Sequence, residues 1–268
     1  MNPGAPAARS AGAGAPAWHA WPARAAWSPP RRGEVDVWRI ATGGPPPGGF
    51  AGLLSAAERR RAAEFAAPAL RDEYVLVHGA LRTLLSRYTG QHPATLGFTA
   101  NRYGKPLLAA ARPGACPPRF NLSATPGCAL LAVCPRARVG VDVELIREVA
   151  HPAALGARCA LDLPALEPGE RAEDWFFRAW TAKESCTKGL GTGLRAPLDE
   201  VRVRLARDGS VRAERAGRRL PGWSLYPLAV GGRYAATLAV GTAGTARIRR
   251  WDWASRPIDE ERNHGSEL

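Results

Sequence analysis

The amino-acid sequence predicts an α+β protein, and three observations carry that expectation. Residues 139–145 alternate Val139, Val141, Val143 and Leu145 with Gly140, Asp142 and Glu144, the period-two pattern of a half-buried strand. Residues 173–188 carry an apolar stripe of Trp175, Phe176, Ala179 and Trp180 at helical spacing. That helix is expected to end at Gly189, with Gly191 and Gly193 following as a glycine stop. Asp208 and Gly209, set between residues 201–205 and the residues after Ser210, form a hairpin signal.

The remaining elements follow in chain order. Residues 1–32 are rich in Ala, Pro and Gly, show no period and read as a disordered tail, although Trp18, Trp21 and Trp27 lie in it. A strand is expected at 34–40 and a loop at 43–49, the run GGPPPGG. A helix is expected over 55–65, with Ser55 as its N-cap and Glu58 at capping-box spacing. A second helix over 70–88 places Val77, Leu81, Leu84 and Leu85 on an apolar face. Residues 101–106, Asn-Arg-Tyr-Gly-Lys-Pro, read as a turn, and 120–125, Phe-Asn-Leu-Ser-Ala-Thr, as a short polar turn. It precedes a buried strand at 129–133, and two closing strands are expected at 223–230 and 234–240. From about residue 249 the chain is polar and charged and reads as loose. The order permits two similar halves, 34–137 and 138–246, between tails at 1–33 and 247–268.

The chain has 268 residues, 46% of them hydrophobic, which suits one large domain or two packed halves around a real core. No window approaches the ~18 consecutive apolar residues of a spanning helix. The first residues hold no apolar core of a secretory signal, so a cytoplasmic location is expected. Five cysteines, an odd number without CxxC or a Cys/His cluster, argue against a disulfide framework and against a zinc site. A formal charge of +13 favours polyanionic or acidic partners. DNA, RNA, an acidic protein and a phosphate-rich cofactor all satisfy that condition.

Four places carry candidate chemistry. On a strand, Asp142 and Glu144 project from one face. Two adjacent carboxylates repel unless a hard cation sits between them, and magnesium is held by few protein oxygens together with phosphate oxygens. Glu184 and Lys188 lie four apart on one helix face. They are either a surface ion pair worth ~0.3–0.5 kcal/mol or a third carboxylate beside a lysine that meets phosphate. Lys183 faces elsewhere, toward a phosphate or solvent. Ser123 and the amides near it form a possible phosphate cradle, and Lys105 is held on the 101–106 turn. Taken singly, each is also the pattern of exposed acids or of a plain loop.

Their order is more specific. GKP, FNLS, GVDVE and FFRAWTAKES, followed by Lys188 and a glycine run, resembles the larger, single-chain 4'-phosphopantetheinyl transferases of the Sfp type. The resemblance spans about residues 35–240, supported by LSAAERRRAAEF and RYGKPLL. It implies two similar α+β halves related by a pseudo-twofold, with coenzyme A in the cleft between them. It further implies that Asp142, Glu144 and Glu184 bind Mg2+ against the coenzyme A pyrophosphate. Glu184 would take the proton of a carrier-protein serine, and Lys188 would stabilise or protonate the departing 3',5'-ADP. Lys105 and Ser123 would bind coenzyme A phosphates, with Arg61 helping at the 3'-phosphate. The implied partner is a small acidic acyl or peptidyl carrier protein, met by a monomer without nucleic acid or membrane.

Three positions depart from the family pattern. Ala124 stands where histidine usually follows the serine, Glu73 stands where a basic residue is favoured (Arg71 lies nearby), and His78 stands where arginine is frequent. A lost charged hydrogen bond costs ~1.5–3 kcal/mol, which implies coenzyme A affinity weaker by about tenfold to a hundredfold. Two other readings compete: a coenzyme A- or carrier-binding homologue without transfer, and a magnesium-dependent nucleic-acid enzyme, for which no nucleic-acid fold motif is present.

Overall fold

The computed structural model describes residues 17–20, 27–112, 114–195, 197, 199–242 and 244–253. In chain order these form β1 (His19–Ala20), β2 (Glu34–Ala41), α1 (Phe50–Leu53), α2 (Ala56–Ala63), α3 (Pro68–Thr89), β3 (Phe98–Ala100), β4 (Pro106–Leu108), β5 (Arg119–Thr125), β6 (Cys128–Cys134) and β7 (Arg138–Leu145). There follow α4 (Pro152–Arg158), β8 (Leu161–Asp162), α5 (Ala172–Leu190), β9 (Arg202–Leu205), β10 (Val211–Arg215), β11 (Arg218–Arg219), β12 (Ser224–Pro227), β13 (Tyr234–Gly241) and β14 (Arg247–Trp253).

Two sheets position the site. The first has the order β1-β14-β2-β6-β5 and the second the order β12-β13-β7. A four-stranded sheet, β11-β10-β9-β8, and the pair β3-β4 complete the fold. α3 turns its apolar face, including Leu76, Leu81, Leu84 and Leu85, toward Trp38, Ile40, Leu131 and Val133 of the first sheet. α5 does the same for the second half of the chain, packing Trp175, Phe177 and Ala182 with Val203, Trp223 and Ala239. A third cluster joins the first two sheets, with Val35, Val37, Leu130 and Ala132 meeting Val139, Val141, Val143 and Leu238. All five cysteine thiols are free; Cys116 is exposed and the other four are buried. No helix among the described residues is long and apolar enough to cross a membrane.

The capping box at the start of α2 forms as expected: Ser55 accepts from the Glu58 amide and Glu58 accepts from the Ser55 amide. Glu58 has a second task. It accepts from Arg82 Nε at 2.8 Å, and Arg82 is buried inside α3 with its guanidinium also donating to the carbonyls of Pro93 and Leu96. Burial of the Glu58 carboxyl opposes its charge, but the nearby His78 ring and hydrogen bonds from Arg82 and Ser55 prevail and bring its pKa down to about 2.

Several expectations are corrected. Residues 120–125 are part of strand β5, paired along its length with β6, and not a turn. The long helix runs through Gly189 and ends at Gly191, whose φ of 86° is the left-handed stop. The expected loose C-terminal tail begins with a strand: β14 inserts between β1 and β2, so the last described strand completes the sheet of the first two. The reason is charge matching. The parallel register sets Arg247 opposite Glu34, Arg249 opposite Asp36 and Asp252 opposite Arg39. Arg249 and Arg39 each approach their carboxylate to 2.6 Å, while Trp251 stacks on Trp38 and Trp253 is buried beside Phe50. Part of the expected disordered tail is also placed: His19–Ala20 pairs with β14, and Trp18 Nε1 donates to the Ala229 carbonyl at 2.6 Å. Trp21 and residues 254–268 lie outside the described residues.

The Glu58–Arg82 pair gives a stability prediction. Glu58→Ala strands a buried guanidinium and is expected to lower stability by about 3 kcal/mol in urea unfolding. A carboxyl whose folded pKa lies below its unfolded value contributes stability above about pH 4.5 that is lost as pH falls toward 2. The variant should therefore show a flatter stability curve across that window than the parent.

Candidate active site

Gly140 of β7 and Gly189 of α5 bring strand and helix into backbone contact. A Cβ on Gly140 would stand 2.0 Å from the Ser185 carbonyl oxygen and 2.4 Å from the Gly189 nitrogen; one on Gly189 would meet the Trp223 ring at 2.5 Å. No side chain fits at Gly140 unless the helix moves. The alternation of β7 sends Asp142 to the same face as Gly140, and the helical period puts Glu184 and Lys188 on the α5 face beside Ser185 and Gly189.

Lys188 Nζ lies 2.6 Å from Asp142 Oδ1. Ser123 Oγ donates to the same oxygen at 2.8 Å and accepts from Lys188 Nζ at 3.0 Å. Ser123 reaches this point because β5 lies beside β7 and turns every second side chain toward it. Asn121 accepts from the Val141 amide at 2.8 Å, and Thr125 accepts from the Leu145 amide at 3.1 Å. Asn121 and Thr125 thus do for β7 what a neighbouring backbone would otherwise do, while Ser123 bonds a β7 side chain.

The carboxylates of the cluster are not all compensated. Asp142 Oδ2 and Glu184 Oε1 are buried without a hydrogen-bond partner. Burial, reinforced by the charges of Asp142 and Glu144 and only partly offset by Lys188, pushes the Glu184 carboxyl up to about 7. Burial and the Asp142 charge raise Glu144 as well. Glu144 Oε2 is met by Arg147 Nη1 at 3.3 Å.

Other candidates have different surroundings. Lys105 Nζ donates to the carbonyls of Val139 at 2.8 Å and Lys188 at 2.7 Å, and burial, aided by Arg119 and Arg138, lowers its pKa to about 8. Asn101 Nδ2 donates to the Gly191 carbonyl at 2.8 Å, so the 101–106 turn clamps the end of α5. Lys183 is a correction: it is buried and donates to the Val201 carbonyl, facing neither phosphate nor solvent. Arg61 lies on the exposed side of α2, paired with Glu64 at 2.6 Å and set over Phe65; no contact among the described residues joins it to the cluster. Ala124 is exposed, and Glu73 accepts from Thr42 Oγ1 at 2.7 Å. His78 stacks on Tyr74, with Nδ1 3.4 Å from Glu58.

Sequence reasoning passed over Asn121, Thr125, Asn101 and Arg147. The period of two in Asn121, Ser123 and Thr125 was the available signal for the first two; nothing local marks the others. No group of three His, Cys, Asp or Glu side chains among the described residues already converges as a set of metal ligands. Lys188 and Arg147 instead meet Asp142 and Glu144. The donor set still fits a hard divalent cation: it is all oxygen, and two of its buried oxygens lack partners.

Residues 138–239, which contain β7 and α5, match the 4'-phosphopantetheinyl transferase superfamily. The chain is 32% identical over 219 residues to the 4'-phosphopantetheinyl transferase HetI of Nostoc sp., covering 79% of this chain and 89% of that one. It is 30% identical over 137 residues to the 4'-phosphopantetheinyl transferase Sfp of Bacillus subtilis, covering 50% and 58%. It is 33% identical over 139 residues to the L-aminoadipate-semialdehyde dehydrogenase-phosphopantetheinyl transferase of Eremothecium gossypii, covering 46% and 47%.

Two outcomes are expected. Gly140→Ala should lower stability by about 1–3 kcal/mol or more, read as the urea midpoint, because backbone must yield to the new methyl group. Glu184 binds a proton in the folded state that the unfolded chain has released between about pH 4.5 and 7. Stability in EDTA should therefore fall as pH rises through that window, and Glu184→Gln should remove that part of the slope.

Proposed function

Because the chain belongs to the 4'-phosphopantetheinyl transferase superfamily, we propose that it moves the 4'-phosphopantetheine group of coenzyme A onto a serine of an acyl or peptidyl carrier protein and releases 3',5'-ADP. The observation that carries this reading is the cluster of buried Asp142, Glu184 and Ser123 with half-buried Lys188, flanked by Glu144, in which two carboxylate oxygens lack partners. Asp142, Glu144 and Glu184 would hold Mg2+, which when bound would supply positive charge against the diphosphate of coenzyme A.

The chain's own residues divide the remaining work. The carrier serine oxygen forms a bond to the phosphorus that bears pantetheine, and the bond from that phosphorus to the bridging oxygen of 3',5'-ADP breaks. Glu184, whose carboxyl titrates near neutrality in the metal-free cluster, takes the serine proton. Lys188 carries its ammonium at the mouth of the cluster, a quarter exposed, and neutralises or protonates the departing 3',5'-ADP. Ser123, Lys105 through its remaining N–H, and Arg61 bind coenzyme A phosphates in this reading. Two similar halves with coenzyme A in the cleft between them belong to the same proposal; the packing of α3 on one sheet and α5 on another supports it. The +13 charge suits an acidic carrier, and we assign the work to a cytoplasmic monomer.

Intact-protein mass spectrometry tests this directly. Apo carrier proteins incubated with the protein, coenzyme A and Mg2+ should gain the mass of one phosphopantetheine arm, and EDTA should abolish the gain. Asp142→Asn should slow the transfer by about a hundredfold or more. Coenzyme A binding with no mass gain on any carrier, beside a working transferase control, would replace transfer by the binding-only reading that exposed Ala124 favours.

A further inference from the structure

We propose that Arg147 is a built-in competitor for the divalent cation: it holds Glu144 in the metal-free protein and thereby lowers the affinity of the carboxylate cluster for the ion. The proposal rests on the magnesium reading above and adds what regulates that site.

Arg147 follows the end of β7, three residues after Glu144. Its Nη1 lies 3.3 Å from Glu144 Oε2 and 3.4 Å from the Leu145 carbonyl oxygen, and its guanidinium sits over the Phe177 ring at 5.2 Å. Phe177 belongs to α5 and is buried, so the contact places the guanidinium beside the helix that carries Glu184. The side chain is 58% exposed while Glu144 is 26% exposed. The arginine can therefore leave into water with little desolvation cost, whereas the carboxylate stays at the cluster edge. The charges that act on Glu144 include those of Asp142, Arg147 and Lys188, and Glu184 is coupled to it as well.

A symmetric arrangement results. Lys188 compensates Asp142 at 2.6 Å and Arg147 compensates Glu144 at 3.3 Å, while Glu184 Oε1 has no hydrogen-bond partner. A dication that takes Glu144 Oε2 displaces the guanidinium from it, and one that takes Oε1 binds beside that positive charge. Both effects oppose binding, and both vanish when the charge at 147 is removed. Exposed ion pairs of this geometry are weak, so removal is expected to tighten the ion by about two- to fivefold.

Titration of the full-length protein with Mn2+, free ion followed by electron paramagnetic resonance and no coenzyme A present, separates the outcomes. The parent should bind Mn2+, and Asp142→Asn should bind it much more weakly. Arg147→Ala and Arg147→Gln should each bind about two- to fivefold more tightly than the parent, the glutamine keeping a long side chain over Phe177. Arg147→Lys, which keeps the charge, should stay close to the parent, and added salt should shrink the differences. A damaged fold cannot produce tighter binding, so the sign of the change distinguishes competition from a structural role. Unchanged or weaker binding by both neutral variants overturns the role of Arg147 and leaves the magnesium reading standing. A parent that binds no Mn2+ overturns both.

Discussion

Where β7 meets α5, no side chain separates the two backbones. Gly140 faces the Ser185 carbonyl and the Gly189 nitrogen at distances that a single methyl group would violate. Everything in the site hangs on that contact, because it fixes the height of α5 above the sheet. Two residues from Gly140 the strand presents Asp142; one residue before Ser185 and one before Gly189 the helix presents Glu184 and Lys188. Had the helix stood off by the width of an ordinary side chain, Lys188 would not reach Asp142 at 2.6 Å. The neighbouring turn reinforces the arrangement: Lys105 and Asn101 bind the carbonyls of Lys188 and Gly191 and hold the end of the helix down.

The cluster beneath that contact is electrostatically unfinished. Burial and like charge act together on Glu184 and lift its carboxyl to about 7, because neither carboxylate neighbour can relieve the other. One ammonium and one guanidinium compensate Asp142 and Glu144, and the buried oxygens Asp142 Oδ2 and Glu184 Oε1 remain without partners. A fold does not gain stability from such a group of charges. Its retention in the interior is understood through what it can bind, and the oxygen donors suit a hard cation with phosphate oxygens completing the shell.

The frame around the site depends on matched polar groups as much as on its apolar core. β5 and β7 are edge strands of different sheets, and Asn121, Ser123 and Thr125 bridge them by side-chain bonds to β7. At the far side of the first sheet, Asp36 is fully buried, yet it accepts from Tyr88 and Trp251 and pairs with Arg249. These bonds join the last described strand to the second, so strands far apart in the chain stabilise one sheet.

Local pattern was enough for some features. The alternation of 139–145, the Ser55–Glu58 capping box and the four-residue spacing of Glu184 and Lys188 each depend on neighbours in the chain, and each was legible because strand and helix periods alone decide which side chains share a face. The order of the motifs likewise pointed to the family. The strand at 247–253 was not legible: its arginines and aspartate look like a solvated tail until Glu34, Asp36 and Arg39 are brought opposite them. The same holds for Lys105, whose partners are carbonyls of residues 139 and 188, for Lys183, which turns inward to Val201, and for the 120–125 strand, whose polar side chains face another strand and not water. A charge is read as exposed or buried according to what compensates it, and compensation by residues distant in sequence exists only once the chain has closed on itself.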